Sequence, residues 1–262
     1  MLPVGQRSHD HRAANLMARS MSAGFRAAEA IDLSRKLENG IPTYPTHPKF
    51  FKMCWCAMGD PARMNQFVLS EHTGTHIDAP SHFMPAGSPG ADSIDALPLD
   101  RFMGPAIKMT FGPFAASNVR VGAKEIRDWE QANVAIEAGD IVLIDFRWGH
   151  RWGIGEAGQS FLDSWPGVSR DAAEYLAERR VKLVGTDCIS LDPGDGGGGA
   201  LAAHYTLLPQ GILIMENACN LERLDVISYV MALPLRLGDA TGSPVRAVGW
   251  NIKRRHGAPE SG

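Results

Sequence analysis

The chain has 262 residues, enough for one large domain or two small ones, with 44% hydrophobic and 21% charged residues, the balance of an ordinary globular protein. Its formal net charge of −3 provides no electrostatic footprint for nucleic acid or an acidic membrane surface. No apolar stretch approaches the length that spans a bilayer, so no nucleic-acid or membrane partner is expected.

Residues 1–30 lack the apolar run of a signal peptide, which makes the cytoplasm the expected compartment. They read as an N-terminal extension, part helix, that packs on a neighbouring subunit, with His9 and His11 solvated. No linker or internal repeat divides 31–255, so a single domain is expected there. Strand-like segments follow at 30–34, 49–57, 66–72, 105–111, 140–147, 181–187, 210–216, 226–233 and 245–251. Ile141–Asp145 (IVLID) and Gly211–Met215 (GILIM) are apolar runs of the kind that form buried strands. Helices are expected over 122–131, after Ser169 as N-cap with Ala172, Ala173, Leu176 and Ala177 on one face, and as a short piece at 199–206. Many strands with few helices make a mixed sheet or barrel decorated by helices. Cys54 and Cys56 alternate on a strand, and Cys188 and Cys219 read as small buried residues, so no disulfide framework is expected. Two stretches match G-x-G-x-x-G, at Gly153, Gly155 and Gly158 and at Gly194, Gly196 and Gly199. Neither lies between a strand and a helix as a dinucleotide cradle requires, so both read as mobile loops. The stretch LDPGDGGGG could equally serve as a lid or as plain linker.

The most informative stretch is Glu71–Phe83, EHTGTHIDAPSHF. It holds His72, His76, Asp78 and His82 among small and turn-forming residues. Imidazole and carboxylate are the ligands that zinc, manganese and iron take. His72 and His76 have the i, i+4 spacing of helical metalloprotease motifs, but Thr73, Gly74, Thr75 and Pro80 disfavour a helix. In an extended chain His76 and Asp78 share one face. The expected arrangement is a strand over 67–72 and a tight loop over 73–83. His204, and Glu216 at the abrupt end of GILIM, are the best further donors, because a carboxylate at a buried strand end needs a cation beside it.

EHTGTHIDAPSHF, with GTDCISLDP, His204 and IMENACNLERL, resembles the family of metal-dependent hydrolases labelled cyclase or kynurenine formamidase-like, which includes bacterial kynurenine formamidase (arylformamidase) and isatin hydrolase. The resemblance runs from about 31 to 251. It implies an α/β (α+β) fold, a swivelling β/β/α domain whose barrel-like mixed sheet is flanked by helices, assembled as a homodimer or homotetramer. It implies that His72, His76 and Asp78 bind a first metal, that Asp78, Glu216 and His204 bind a second, and that His82 is the acid/base residue. One or two divalent ions, Zn²⁺ or Mn²⁺, are the expected cofactors, and a small aromatic substrate is the expected partner. The pocket candidates are Tyr44 and Phe83 first, then Trp55, Trp148, Trp152 and Trp165, with His150 a solvated loop residue. Formamidases carry a tryptophan before a Pro-Gly-Asp turn, where this chain has Tyr44-Pro45-Thr46-His47, and the added bulk at 1–30 and 148–167 leans towards isatin hydrolase. Glu216 leans the other way, since a single-metal isatin hydrolase would be expected to carry a neutral residue there. The implied chemistry is hydrolysis of an amide, lactam or ester next to an aromatic ring, by metal-activated water. A metal-dependent lyase or cyclase, and a non-catalytic metal-binding protein, remain the alternatives.

Overall fold

Short strands that are apolar on both faces need cover on both sides, and the chain provides it by rolling one sheet into a ring. The computed structural model describes residues 4–56, 59, 61–195 and 201–252. In chain order its strands are β1 (Glu29–Asp32), β2 (Phe51–Cys54), β3 (Asn65–Val68), β4 (His76–Asp78), β5 (Met103–Thr110), β6 (Arg120–Val121), β7 (Ile141–Asp145), β8 (Gly167–Val168), β9 (Leu183–Thr186), β10 (Leu213–Glu216), β11 (Ile227–Pro234) and β12 (Gly242–Asn251). Strands β5, β7, β9 and β10 run parallel, and the other pairs of the main sheet are antiparallel. Strand β4 pairs with β10 on one edge and with the first residues of β12 on the other. That double pairing closes seven strands in the order β12-β11-β5-β7-β9-β10-β4 and leaves β1 outside, on the far part of β12.

Alternation along the strands builds two cores. Ile77, Ile141, Leu143, Leu213, Met215 and Val230 point into the ring. Val142, Ile144, Val184 and Ile214 point outward, onto the helices α2 (Ala123–Ala132), α3 (Arg170–Glu178) and α4 (Ala202–Leu207). Asp171 in the first turn of α3 accepts the Ala123 N–H at the start of α2, which ties two helix N-termini together. Ser169 stands at the N-cap position of α3 as expected, but its hydroxyl is spent on Asp171 and the Val121 carbonyl and caps no helical N–H.

The expectations for 67–72 and 73–83 require correction. The strand is β3, ending at Val68, and the expected tight loop contains β4 and the 3₁₀ turn Pro80–His82. Local composition hid β4 because a three-residue strand is held by partners on both edges rather than by propensity. The loop 148–167 is not mobile but packed, with Trp148, Phe161 and Trp165 buried in the helix-side core and the Trp148 indole donating to the Phe161 carbonyl. Gly194 is described, whereas Gly196 and Gly199 of the suggested lid, with the start of 199–206, lie outside the described residues. The N-terminal segment forms α1 (Val4–Ala27), which meets the ring where Phe25 packs on Trp250 and Tyr229. No helix among the described residues is long and apolar enough to cross a membrane.

Leu143 is fully buried in the ring interior. Leu143→Ala is expected to cost about 2–5 kcal/mol in urea unfolding, and a loss below 1 kcal/mol would contradict a closed, well-packed interior.

Candidate metal centre

Register places the donors. His76 faces Glu216 and Asp78 faces Ile214 across the β4–β10 pair, so His76, Asp78 and Glu216 project from the helix side of the sheet while Ile77 and Met215 fill its interior. The loop before β4 is locked to the end of β10. The Thr75 hydroxyl donates to the Asn217 carbonyl at 2.8 Å, and the Asn217 amide donates to the Gly74 carbonyl at 2.9 Å. Gly74 is left-handed (φ +63°), and a Cβ there would lie 2.4 Å from Leu37, so the turn requires glycine. On the opposite wall α4 brings in His204, and the 3₁₀ turn brings in His82.

Hydrogen bonds fix the direction of the ligand-type rings. His76 Nδ1 meets the Gly74 carbonyl at 2.8 Å, which makes it the protonated nitrogen and turns Nε2 towards Asp78 (3.4 Å) and Glu216 (3.5 Å). His204 Nδ1 meets Asp192 at 2.5 Å, and Nε2 lies 3.3 Å from both Asp78 Oδ2 and Glu216 Oε1. Asp192 also accepts the Ala203 and His204 N–H groups, so one buried carboxylate caps α4 and orients its histidine. His72 Nδ1 lies 2.6 Å from Asp78 Oδ1.

The residues fit a metal ion. Asp78 Oδ2 is buried and accepts no well-formed hydrogen bond, although three imidazoles crowd its carboxylate. One ligand atom each of His76, Asp78 and Glu216, and likewise of His72, Asp78 and His82, lie within 4.8 Å of one another. The two sets share Asp78, as two overlapping positions would. Charge points the same way. Burial opposes ionisation of Asp78 and Glu216, yet the surrounding histidines hold both below the usual carboxylate range. Burial likewise opposes charge on His76, but the facing carboxylates of Asp78 and Glu216 outweigh it and lift its pKa to about 10; His204 is raised for the same reason with Asp192 added. Two buried carboxylates thus demand positive charge, which protons supply in the metal-free cluster and a divalent cation would supply in their place. His82 is the exception: burial drives it down to about 4, so its ring is neutral at pH 7.

The cluster forms one wall of a cavity of about 700 Å³. Tyr44 and Phe83 line it, as do Tyr205, Met84 and His47. Phe83 packs on His204 (4.8 Å) and on Tyr205 (4.9 Å). The four tryptophans considered from sequence do not line it: Trp148 and Trp165 are core, Trp152 packs on Phe161 and Arg35, and Trp55 is exposed on the β2–β3 hairpin. His150 is exposed, as is His11 on α1. The structure therefore brings together His72, His76, Asp78, His82, His204 and Glu216 with Tyr44 and Phe83. The sequence alone does not mark Asp192, whose only signal is a carboxylate before a proline, or His47, which lies in the stretch that departs from the formamidase turn. Nor does it mark Thr241, whose contacts with His72 and Glu71 span 169 and 170 residues.

Proton linkage has a definite sign here. A raised histidine pKa in the folded state stabilises the metal-free fold below about 6.5, and that stability is lost as pH climbs towards 10. The depressed carboxylates stabilise above about 4.5 and lose that contribution in acid. The melting temperature of metal-free protein is expected to fall between pH 6.5 and 10, and excess Zn²⁺ is expected to abolish the fall. A flat metal-free profile would show that the imidazoles carry no such protons.

Comparison with known proteins identifies the family. The Cyclase family, described as "Putative cyclase", matches residues 31–193. Kynurenine formamidase of Bacillus cereus (strain ZK / E33L) is 34% identical over 227 residues, covering 86% of this chain and 98% of that protein. The same enzyme of Bacillus mycoides (strain KBAB4) matches equally. Among solved structures, isatin hydrolase A from Labrenzia aggregata bound to benzyl benzoate superposes with a TM-score of 0.81 at 26% identity, over 92% of this chain and all of that one. An isatin hydrolase bound to the product analogue thioisatinate gives 0.80 at 26%, over 93% and 99%. By sequence and by fold, the chain belongs to the cyclase, kynurenine formamidase-like family.

Proposed function

We propose that the protein is a metal-dependent amidohydrolase that opens an amide, lactam or ester bond of a small aromatic substrate, in the manner of an arylformamidase or isatin hydrolase. The observation that carries this reading is the buried, unsatisfied oxygen of Asp78 amid five further ligand-type side chains on the wall of an aromatic cavity. His72, His76, Asp78, His204 and Glu216 would hold one or two divalent ions, Zn²⁺ or Mn²⁺, since imidazole and carboxylate suit both. Such an ion lowers the pKa of bound water to about 7 and polarises a carbonyl.

The chain's own side chains do the rest. Neutral His82 accepts the proton of the attacking water and returns it to the leaving nitrogen, or to the leaving oxygen of an ester. Tyr44 and Phe83 present an aromatic wall against which the substrate ring packs. Neutral His47, held below the usual histidine range by burial and by His72 and His76, adds a polar group where the sequence departs from the formamidase turn. Residues 31–255 act as one catalytic domain, with 1–30 as an extension.

One observation favours a second role for His82. Its nearest ring nitrogen groups with His72 and Asp78 at ligand distances, and its ring lies 4.0 Å from that of His72. Purified protein loaded with Zn²⁺ or Mn²⁺ and offered N-formylkynurenine, isatin and an aryl lactone tests the reaction. His82→Ala is expected to keep its metal and lose about 10²–10⁴-fold in turnover, while Asp78→Ala loses metal by elemental analysis. Metal loss in His82→Ala would make that residue a ligand, and Asp78→Ala with full occupancy would remove the site. Elimination without hydrolysis would favour a lyase or cyclase.

We further propose that two or four copies assemble through the β2–β3 hairpin. The pairing puts Phe51, Met53 and Val68 on one face, with Trp55 and Met64 continuing it, and all five are exposed. A two-stranded hairpin is marginal alone. Val68→Glu is expected to lower the mass seen by light scattering; a wild-type monomer would end this proposal.

A further inference from the structure

Glu71 opens the ligand motif, yet the proposed mechanism gives it no task. Its carboxylate oxygen Oε2 accepts two hydrogen bonds from one residue 170 positions away: the backbone N–H of Thr241 at 2.5 Å and the Thr241 hydroxyl at 2.6 Å. Thr241 immediately precedes β12, and its carbonyl accepts the Ala79 N–H, so it is anchored to the motif at both ends. The next residue is Gly242, where a Cβ would lie 2.7 Å from His72 Cε1. Only glycine lets the strand come this close to the His72 ring.

A hydroxyl has one proton. Since Thr241 gives it to Glu71, its oxygen can offer only lone pairs to its other neighbours. Those neighbours are two imidazole nitrogens, His72 Nε2 at 3.1 Å and His82 Nδ1 at 3.5 Å. Each must carry hydrogen to make the contact. With a cation bound, His72 would then keep a lone pair on Nδ1, the atom that faces Asp78 at 2.6 Å. His82 is left with a lone pair on Nε2. The two rings lie 4.0 Å apart and tilted by 30°, so the oxygen serves both from the same side of a near-stacked pair.

We propose that Glu71 and Thr241 form a positioning dyad that sets the tautomer of a ligand-type histidine and of the acid/base histidine together. The carboxylate polarises the hydroxyl, and the hydroxyl oxygen holds the hydrogen on His72 Nε2 and on His82 Nδ1. This leaves the lone pair of His72 for the cation and that of His82 for the water proton. The inference deepens the reading of the site given above and rests on it, but its primary readout needs no turnover.

Protein labelled with ¹⁵N-histidine and loaded with Zn²⁺ tests it by long-range ¹H–¹⁵N NMR, which distinguishes the two neutral imidazole tautomers. In wild type, His72 is expected as the Nε2–H form and His82 as the Nδ1–H form. Thr241→Val removes the acceptor and is expected to release His82 into a tautomer mixture and to weaken Zn²⁺ binding about 10–100-fold. On any substrate that the panel identifies, it is expected to lower kcat about tenfold with KM little changed. Thr241→Ser restores all three readouts, because it keeps the oxygen and loses only a methyl group. Where Thr241→Val does not fold, Glu71→Ala carries the test: Thr241 stays in place, its proton is freed, and His82 is expected to lose its single tautomer. The opposite tautomers in wild type, unchanged tautomers in Thr241→Val or Glu71→Ala, or failure of Thr241→Ser to rescue would overturn the dyad. A wild type with the expected tautomers that hydrolyses nothing in the panel would instead refute the hydrolase reading and leave the dyad standing.

Discussion

Two carboxylates held out of water on one patch of sheet are the constraint around which this molecule is arranged. Asp78 and Glu216 lie on adjacent paired strands, buried, with no lysine or arginine in an ion pair with either among the described residues. Their repulsion and lost hydration are tolerable only with compensating positive charge. Imidazoles supply it by binding protons, or by binding a cation and staying neutral. The second solution leaves Asp78 Oδ2, otherwise unsatisfied, with a partner.

Closure of the ring makes that patch possible. Strand β4 is only three residues long, and its hold on both β10 and β12 completes the barrel. The same pairing aligns His76 with Glu216 and brings Gly242 against Asp78. Fold stability and site geometry are therefore written in the same hydrogen bonds. Around the cluster the orienting groups come from three directions: the Gly74 carbonyl for His76, Asp192 for His204, and Thr241 for His72. Each contacts the nitrogen that turns away from the carboxylates, so the cluster is oriented before any ligand arrives.

The cavity beside this cluster explains why substrate is harder to read than chemistry. Its aromatic wall suits many small ring compounds, and the residues that would discriminate, His47 and Tyr205 among them, come from loops and a short helix. Kynurenine formamidases reach 34% identity over 86% of this chain, while the isatin hydrolases superpose closely over nearly the whole chain.

Much of this was legible from residue order. Ligand chemistry is local where donors share a strand: His76 and Asp78 sit two apart, and extended backbone puts them on one face whatever surrounds them. Apolar runs such as Ile141–Asp145 announced buried strands because burial on both faces leaves no polar alternation. Glu216 stood out because a carboxylate ending an apolar run needs compensation. What the order of residues could not hold was anything set by long-range pairing. β4 reads as loop in the sequence, since three residues acquire strand geometry only from β10 and β12. The packed loop at 148–167 reads as mobile in the sequence, since its glycines say nothing of Trp148 and Phe161 meeting beneath them. Asp192, Thr241 and His47 stayed invisible because a side chain's task depends on what faces it, and their partners arrive only when the ring closes.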